Sequence, residues 1–372
     1  MTDLDRRMTL KTLAAGTLGA AGLAAGAAAQ APAGGPLAGG PLAGAAAGPF
    51  ATQPWGAENR LAGPGFAVER VAFRSGDAEL IGNLFVPDGP GRKAAVAILG
   101  PVAFVKEQAP LQYALRLVRE GFAALIFDPT GHGESEGEPR RDESGTKKVA
   151  DLRAALGFLA SRADIDPDRL HLLGVCQGVN WTIETALVEP RARSIALVAG
   201  HYLTPEVAVM YLGSPQAVEA RIAKGLAAAE RFRATGAVDY IRIVSPSLAE
   251  PDPAALLTAP PIHMFYIRWA DRSPFLAHRG LWENRITAMS EAAIWGHRID
   301  RAMPRLTTPT LMVHADRAAS GGPIPRALFA AMPAARKELV WLGGQGQLMF
   351  YEDPITIDMA AAPVARFFKA TA

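Results

Sequence analysis

The sequence predicts an α/β fold: a mostly parallel sheet with helices on both faces and a helical cap inserted after the sixth strand. Three observations lead there. Continuous apolar runs such as "AAVAILG" (Ala94 to Gly100) and "FAALIFD" (Phe122 to Asp128) have the composition of strands buried on both faces. Stretches with helical spacing alternate with these runs, which demands a parallel sheet covered by helices. The alternation stops between Tyr202 and Pro304 and then resumes.

Taken in order, "FAVERVAFRS" and "AELIGNLFVP" read as the first two strands, a hairpin at the edge of the sheet. "AAVAILG" is the third, Leu111 to Glu120 a helix, and "FAALIFD" the fourth, together one βαβ unit. A helix from Lys147 to Ala160 leads to the fifth strand, Leu170 to Val175, and a helix after Gly178 leads to the sixth, Ser194 to Ala199. After the interruption come "PTLMVHA" (Pro309 to Ala315), a helix over Pro325 to Ala331, "KELVWLG" (Lys337 to Gly343) and a final helix ending at "VARFFKA".

The interruption, 202–304, is rich in helical Ala, Glu and Arg and carries Trp269, Trp282 and Trp295. Set between two strands at the ligand-binding end of the sheet, an insertion of this size reads as a cap over a pocket, its aromatics serving chiefly as its own core.

Ahead of the folded part, two arginines in "DRRMTLK" precede a weakly apolar run from Leu13 to Ala29, with small residues suited to cleavage near Ala29 to Ala31. Residues 1–30 thus resemble a twin-arginine export signal, which implies a periplasmic or secreted protein with no stable membrane insertion once the signal is removed. Residues 31–65, rich in Gly, Pro and Ala, offer too little apolar surface to offset their chain entropy and read as a disordered linker. The domain proper is placed at 66–372.

Thirty-eight Lys and Arg against 36 Asp and Glu leave a net charge of +2, too small to point to a nucleic-acid partner. One cysteine excludes an intrachain disulfide, and no Cys/His cluster has metal-ligand spacing. Neither a phosphate-cradling GxxxxGK[ST] loop nor a GxGxxG after a strand occurs, so no metal and no cofactor is expected. A small molecule is the expected substrate or ligand.

That cysteine, Cys176, stands in Gly174-Val175-Cys176-Gln177-Gly178, after an apolar strand and before a helix. Most lone cysteines are small buried hydrophobes. Position argues for more: the small flanking residues suit a strained turn, and the helix start would favour a thiolate and lower the thiol pKa below about 8.5. The segment resembles the G-x-nucleophile-x-G elbow of the α/β-hydrolase superfamily with Cys in place of Ser. "FDPTGHGESEGEPR" (Phe127 to Arg140) is similar to that superfamily's D-x-x-G-x-G-x-S loop, and the likeness is nearest to dienelactone-hydrolase-like and S15-peptidase-like members.

The resemblance implies an oxyanion site made by the backbone N–H groups of Gln177 and of Val102, since Pro101 cannot donate. It also implies a histidine just before Tyr351 and an acid after the seventh strand; those positions hold Gln347 and Ala318, with Asp316 two residues early. Among the histidines, His201 is best placed as a surrogate, ahead of His132 and His314, although a structural role suits all three. Two functions stay open: hydrolysis or acyl transfer on an ester, thioester or lactone through Cys176, or ligand binding on a catalytically impaired hydrolase fold.

Overall fold

The structure, a computed structural model, describes residues 60–270 and 281–372. The signal expected at 1–30 and all of the expected linker before Arg60 lie outside the described residues. The sheet begins ahead of Phe66, with strand β1 (Arg60–Gly63) antiparallel to β2 (Phe66–Ser75). β2 and β3 (Ala78–Pro87) form the expected hairpin, but neither takes the edge, because β1 covers β2 and β3 pairs with β5.

From there the alternation holds: β4 (Lys93–Leu99), α1 (Ala109–Arg119), β5 (Ala123–Phe127), α2 (Gly145–Ser161), β6 (Ile165–Val175), α3 (Gly178–Val188) and β7 (Ala192–Val198). After the cap follow β10 (Thr310–His314), α8 (Pro323–Ala331), β11 (Lys337–Trp341), α9 (Met349–Glu352) and α10 (Pro354–Thr371). The nine strands run in the order β1-β2-β3-β5-β4-β6-β7-β10-β11, and every pair from β5 to β11 is parallel. Counting β1, the strand before the cap is the seventh.

The central strands read as apolar runs because both faces are covered. All five residues of β5 are buried. Helices α1 and α10 pack together against the sheet, and α2 and α3 pack together on its other face. On α1 the buried Tyr113, Ala114, Leu117 and Val118 form one stripe, while Arg116 and Arg119 occupy the last turn, where cations suit the helix dipole.

The described part of the cap contains α4 (Pro205–Leu212), α5 (Pro215–Thr235), α6 (Pro260–Ile267), α7 (Ser290–Trp295) and a two-stranded ribbon of β8 (Tyr240–Ile241) with β9 (Ile286–Thr287). Thr204 and Ser214 cap α4 and α5 by accepting from Val207 N and Ala217 N. Trp282 and Trp295 are buried in the cap, Trp282 stacked on Tyr266 at 5.4 Å, so these aromatics form the cap's own core as expected. No described helix is long and apolar enough to cross a membrane.

Candidate active site

At the C-terminal end of β6 the chain turns sharply into α3, and Cys176 sits at the bend with φ 56°, in the left-handed region. The turn is fixed by Cys176 N donating to Val198 O at 3.0 Å and His201 N donating to Cys176 O at 3.1 Å. The flanking glycines are obligatory at this close approach. A Cβ on Gly174 would meet Val179 N at 2.8 Å, and one on Gly178 would meet the carbonyl oxygens of Leu99 and Gly100 at 2.6 Å.

The Tyr351 hydroxyl, the backbone N–H groups of Gln177 and Val102 and, more weakly, the Gln347 side chain surround the sulfur and favour its anionic form. Both amides expected of an oxyanion site therefore converge on one point. The thiol pKa is a correction to the sequence reading. Burial pushes it above its ordinary value, and the hydrogen bonds only partly offset that. Cys176 is 6% exposed, and desolvation of a thiolate there outweighs whatever the start of α3 supplies.

Gln347 is held on three sides. Its Oε1 accepts from Ala319 N at 2.7 Å; its Nε2 donates to Ala199 O at 2.9 Å and to the Tyr351 hydroxyl at 2.6 Å. A donor on one side and a carbonyl on the other fix the orientation of the amide. Ala318 is buried beside it, and the N–H that follows Ala318 donates to the Gln347 oxygen, a polarity opposite to that of a carboxylate accepting from an imidazole. Asp316 is exposed, its N–H bonded to Gly343 O.

His201 joins the site through its backbone, while its ring lies on Tyr211 with centroids 4.7 Å apart and Nε2 without a hydrogen-bond partner. Burial lowers its pKa to about 4, so the ring is neutral at physiological pH. His314 donates through Nε2 to Gly321 O at 3.1 Å, and burial lowers it likewise to about 4. His132 lies farther back, with Nε2 3.2 Å from Glu143 Oε1. The groups that act on the sulfur are Tyr351, Gln177, Val102 and Gln347, and the His201 ring is not among them, so the surrogate role read for it finds no support beyond its backbone bond to Cys176 O.

Several residues that support the site lay outside the sequence reading. Glu143 accepts from Ala103 N at 2.6 Å and pairs with Lys148 at 2.5 Å, fixing the residue after Val102 in a left-handed conformation (φ 52°). Burial alone would raise the Glu143 carboxyl, but Lys148 and His132 bring it down to about 2. From the cap, Tyr266 donates to Val102 O at 2.9 Å and so grips the same loop from above. Tyr351 itself was legible only as a landmark for counting back to position 347. No spacing rule links it to Cys176, because their contact is made by the fold.

A cavity of about 840 Å³ lies between α4, α5, the 253–262 segment and the Arg317–Ala319 loop, with Tyr211, Ala318 and Gln347 in its wall. Gln347 thus touches both this cavity and the sulfur. No group of His, Cys, Asp and Glu suited to a metal ion occurs among the described residues.

Residues 109–352 match the family described as Serine aminopeptidase, S33. An uncharacterized protein of Pseudomonas aeruginosa, PA2218, is 31% identical over 118 residues, 31% of this chain and 32% of that protein. Its crystal structure superposes with a TM-score of 0.69 at 22% identity, covering 83% of this chain and 95% of that one. The polyketide transferase claH of Penicillium crustosum is 32% identical over 133 residues, 35% of this chain and 43% of the relative. The thiohydrolase aneE of Aspergillus aculeatus is 36% identical over 80 residues, 22% of this chain and 25% of the relative. The matched stretches therefore span well under half the length of these curated relatives.

Proposed function

From the premise that this chain belongs to the family of serine aminopeptidases, S33, on an α/β-hydrolase fold, we propose that it is a hydrolase or acyl-transfer enzyme acting on ester, thioester or lactone bonds through Cys176. One observation carries the proposal: two backbone amides and a phenol converge on a sulfur at the tip of the elbow, where a hydroxyl stands in the parent motif. The names of two relatives, a thiohydrolase and a polyketide transferase, support thioester chemistry in particular. The family differs from the dienelactone-hydrolase and S15-peptidase likeness of the motifs; the elbow and oxyanion roles are part of this proposal.

In the acylation step the Cys176 sulfur bonds to the acyl carbon, the carbonyl oxygen becomes an oxyanion held by the N–H groups of Val102 and Gln177, and the bond to the leaving group breaks. The thiol proton leaves with that group, which a thiolate leaving group accepts readily. Tyr351, kept protonated because burial raises its pKa well above 10, donates to the sulfur and favours its anionic form. In the second step Gln347 and Ala318 stand where the triad His and Asp would act. Gln347 can orient an incoming nucleophile but takes no proton, so an acceptor that carries its own base is turned over faster than water. We place this chemistry outside the cytoplasm on the strength of the paired arginines and the apolar run in residues 1–30.

A ligand-binding protein on the same fold is the second reading, favoured by the raised thiol pKa and the lack of a base on Gln347. Intact-mass spectrometry after mixing with hexanoyl-N-acetylcysteamine separates the two. An acyl adduct that vanishes in Cys176→Ala supports the enzyme, whereas an unmodified protein after prolonged incubation rejects it.

A further inference from the structure

The cavity lined by Gln347 carries charge that the chemistry above does not use. Met210, Leu212, Leu256 and Ile262 give it an apolar wall, and its charged lining residues are all cationic: Arg221, Lys224 and Arg317. Arg221 is already committed, bonded to the carbonyls of Pro253, Ala254 and Ala255 and paired with Glu291. Lys224 shares that carboxylate at 3.6 Å and is 46% exposed. One acidic group thus serves two of the three cations.

Arg317 has no such partner. Its guanidinium makes no hydrogen bond or ion pair with any described residue, while its backbone is pinned by a bridge to Gly346, immediately before Gln347. The carboxylate of its neighbour Asp316 makes no ion pair with it and lies 3.0 Å from where a Cβ of Gly322 would be. A rigidly based guanidinium over an apolar hollow presents a planar donor fork that matches a carboxylate or phosphate. The volume, about 840 Å³, suits a small organic ligand with room for a chain of several carbons.

We propose that this cavity is the subsite for an anionic group on the substrate, a carboxylate or phosphate bound by Arg317 with Lys224 adding charge, at the end of an apolar chain. That it serves the reacting thiol rests on the function proposed above, because Gln347 both lines the cavity and reaches the Cys176 sulfur. The anion can belong to the acyl part, as an ω-carboxyl, or to the leaving group, as a phosphate-bearing thiol; Arg317 is the specificity residue in either case.

Equilibrium binding to the full chain tests the subsite without turnover. Hexanamide, adipic acid monoamide and hexyl phosphate are titrated by calorimetry into the wild type and into Arg317→Ala and Lys224→Ala. At least one of the two anions should bind about tenfold tighter than hexanamide, the preference disappearing in Arg317→Ala and weakening in Lys224→Ala. Preference for the monoamide alone assigns the anion to the acyl part, and preference for hexyl phosphate alone to the leaving group. Equal binding of all three probes, or a preference that survives Arg317→Ala, overturns the subsite. Anion binding without an acyl adduct on Cys176 would leave the subsite standing and remove the proposed enzyme. An adduct without anion preference would do the reverse.

Discussion

Gln347 donates to the hydroxyl of Tyr351 across 2.6 Å, so the phenol's own proton is left to point at the Cys176 sulfur. Burial nevertheless holds the thiol above its ordinary pKa, so little thiolate exists at neutral pH. Alkylation by iodoacetamide should therefore be slower than for free cysteine at pH 7.5 and should rise steeply as pH passes the usual thiol range. Tyr351→Phe removes the strongest donor and should slow alkylation several-fold further, moving the profile to higher pH. A Tyr351→Phe rate equal to the wild type would show that the phenol does not serve the sulfur.

Replacing Gln347 by His alone gives the imidazole an N–H donor, Ala319 N, where it needs an acceptor. Adding Ala318→Asp provides the carboxylate that would orient it. The double variant should hydrolyse p-nitrophenyl esters about 100-fold faster than wild type or more, in the range expected for general-base catalysis, and the single Gln347→His far less. Additive single effects would mean that position 318 does not address position 347.

Gly178 packs its α-carbon against the carbonyls at the end of β4, where any Cβ would lie only 2.6 Å from the oxygens of Leu99 and Gly100. Gly178→Ala must push α3 off the sheet at the elbow. A loss of about 1–3 kcal/mol in urea unfolding is expected, with a larger proportional fall in Cys176 acylation than in cavity binding.

Glu143 and Lys148 are both buried, and the carboxylate also fixes Ala103 beside the oxyanion loop. Glu143→Gln leaves Lys148 charged and unpaired, which should destabilise the fold by about 3–5 kcal/mol. Combining it with Lys148→Met should restore much of that stability but not the acylation rate, as read by urea midpoints alongside adduct formation.

Acid should unfold the protein from the histidine range onward. Burial lowers His171 to about 3 and His201 and His314 to about 4, so each stays neutral in the native state and takes a proton when the chain unfolds. The unfolded state binds more protons below its ordinary histidine pKa. Stability is then full above about pH 6.5 and is lost as pH falls toward 4, by up to about 1.4 kcal/mol per histidine per pH unit. Urea midpoints flat between pH 7.5 and 4.5 would contradict this.

The order of strands and helices, the cap and the elbow were all legible, because a strand covered on both faces must be continuously apolar and a nucleophile turn must be flanked by small residues. "AAVAILG" and Gly174 to Gly178 announce themselves in this way. The edge of the sheet was not, since β1 is only Arg60–Gly63 and falls in a Gly- and Pro-rich stretch without alternation. The positions of Val102, Gln177 and Gln347 followed from the motif, whereas Tyr266 and Tyr351 did not, being brought to the loop and the sulfur from the cap and from a short helix far along the chain.

By itself the sequence determined the α/β order, the turn of small residues around Cys176 and the presence of Gln, which does not titrate, at position 347. Only the tertiary structure decided the state of the thiol and what surrounds it. Desolvation and hydrogen bonding at Cys176 are sums over residues from β4, β6, α9 and the loops beside them, and such sums exist only once the chain has folded.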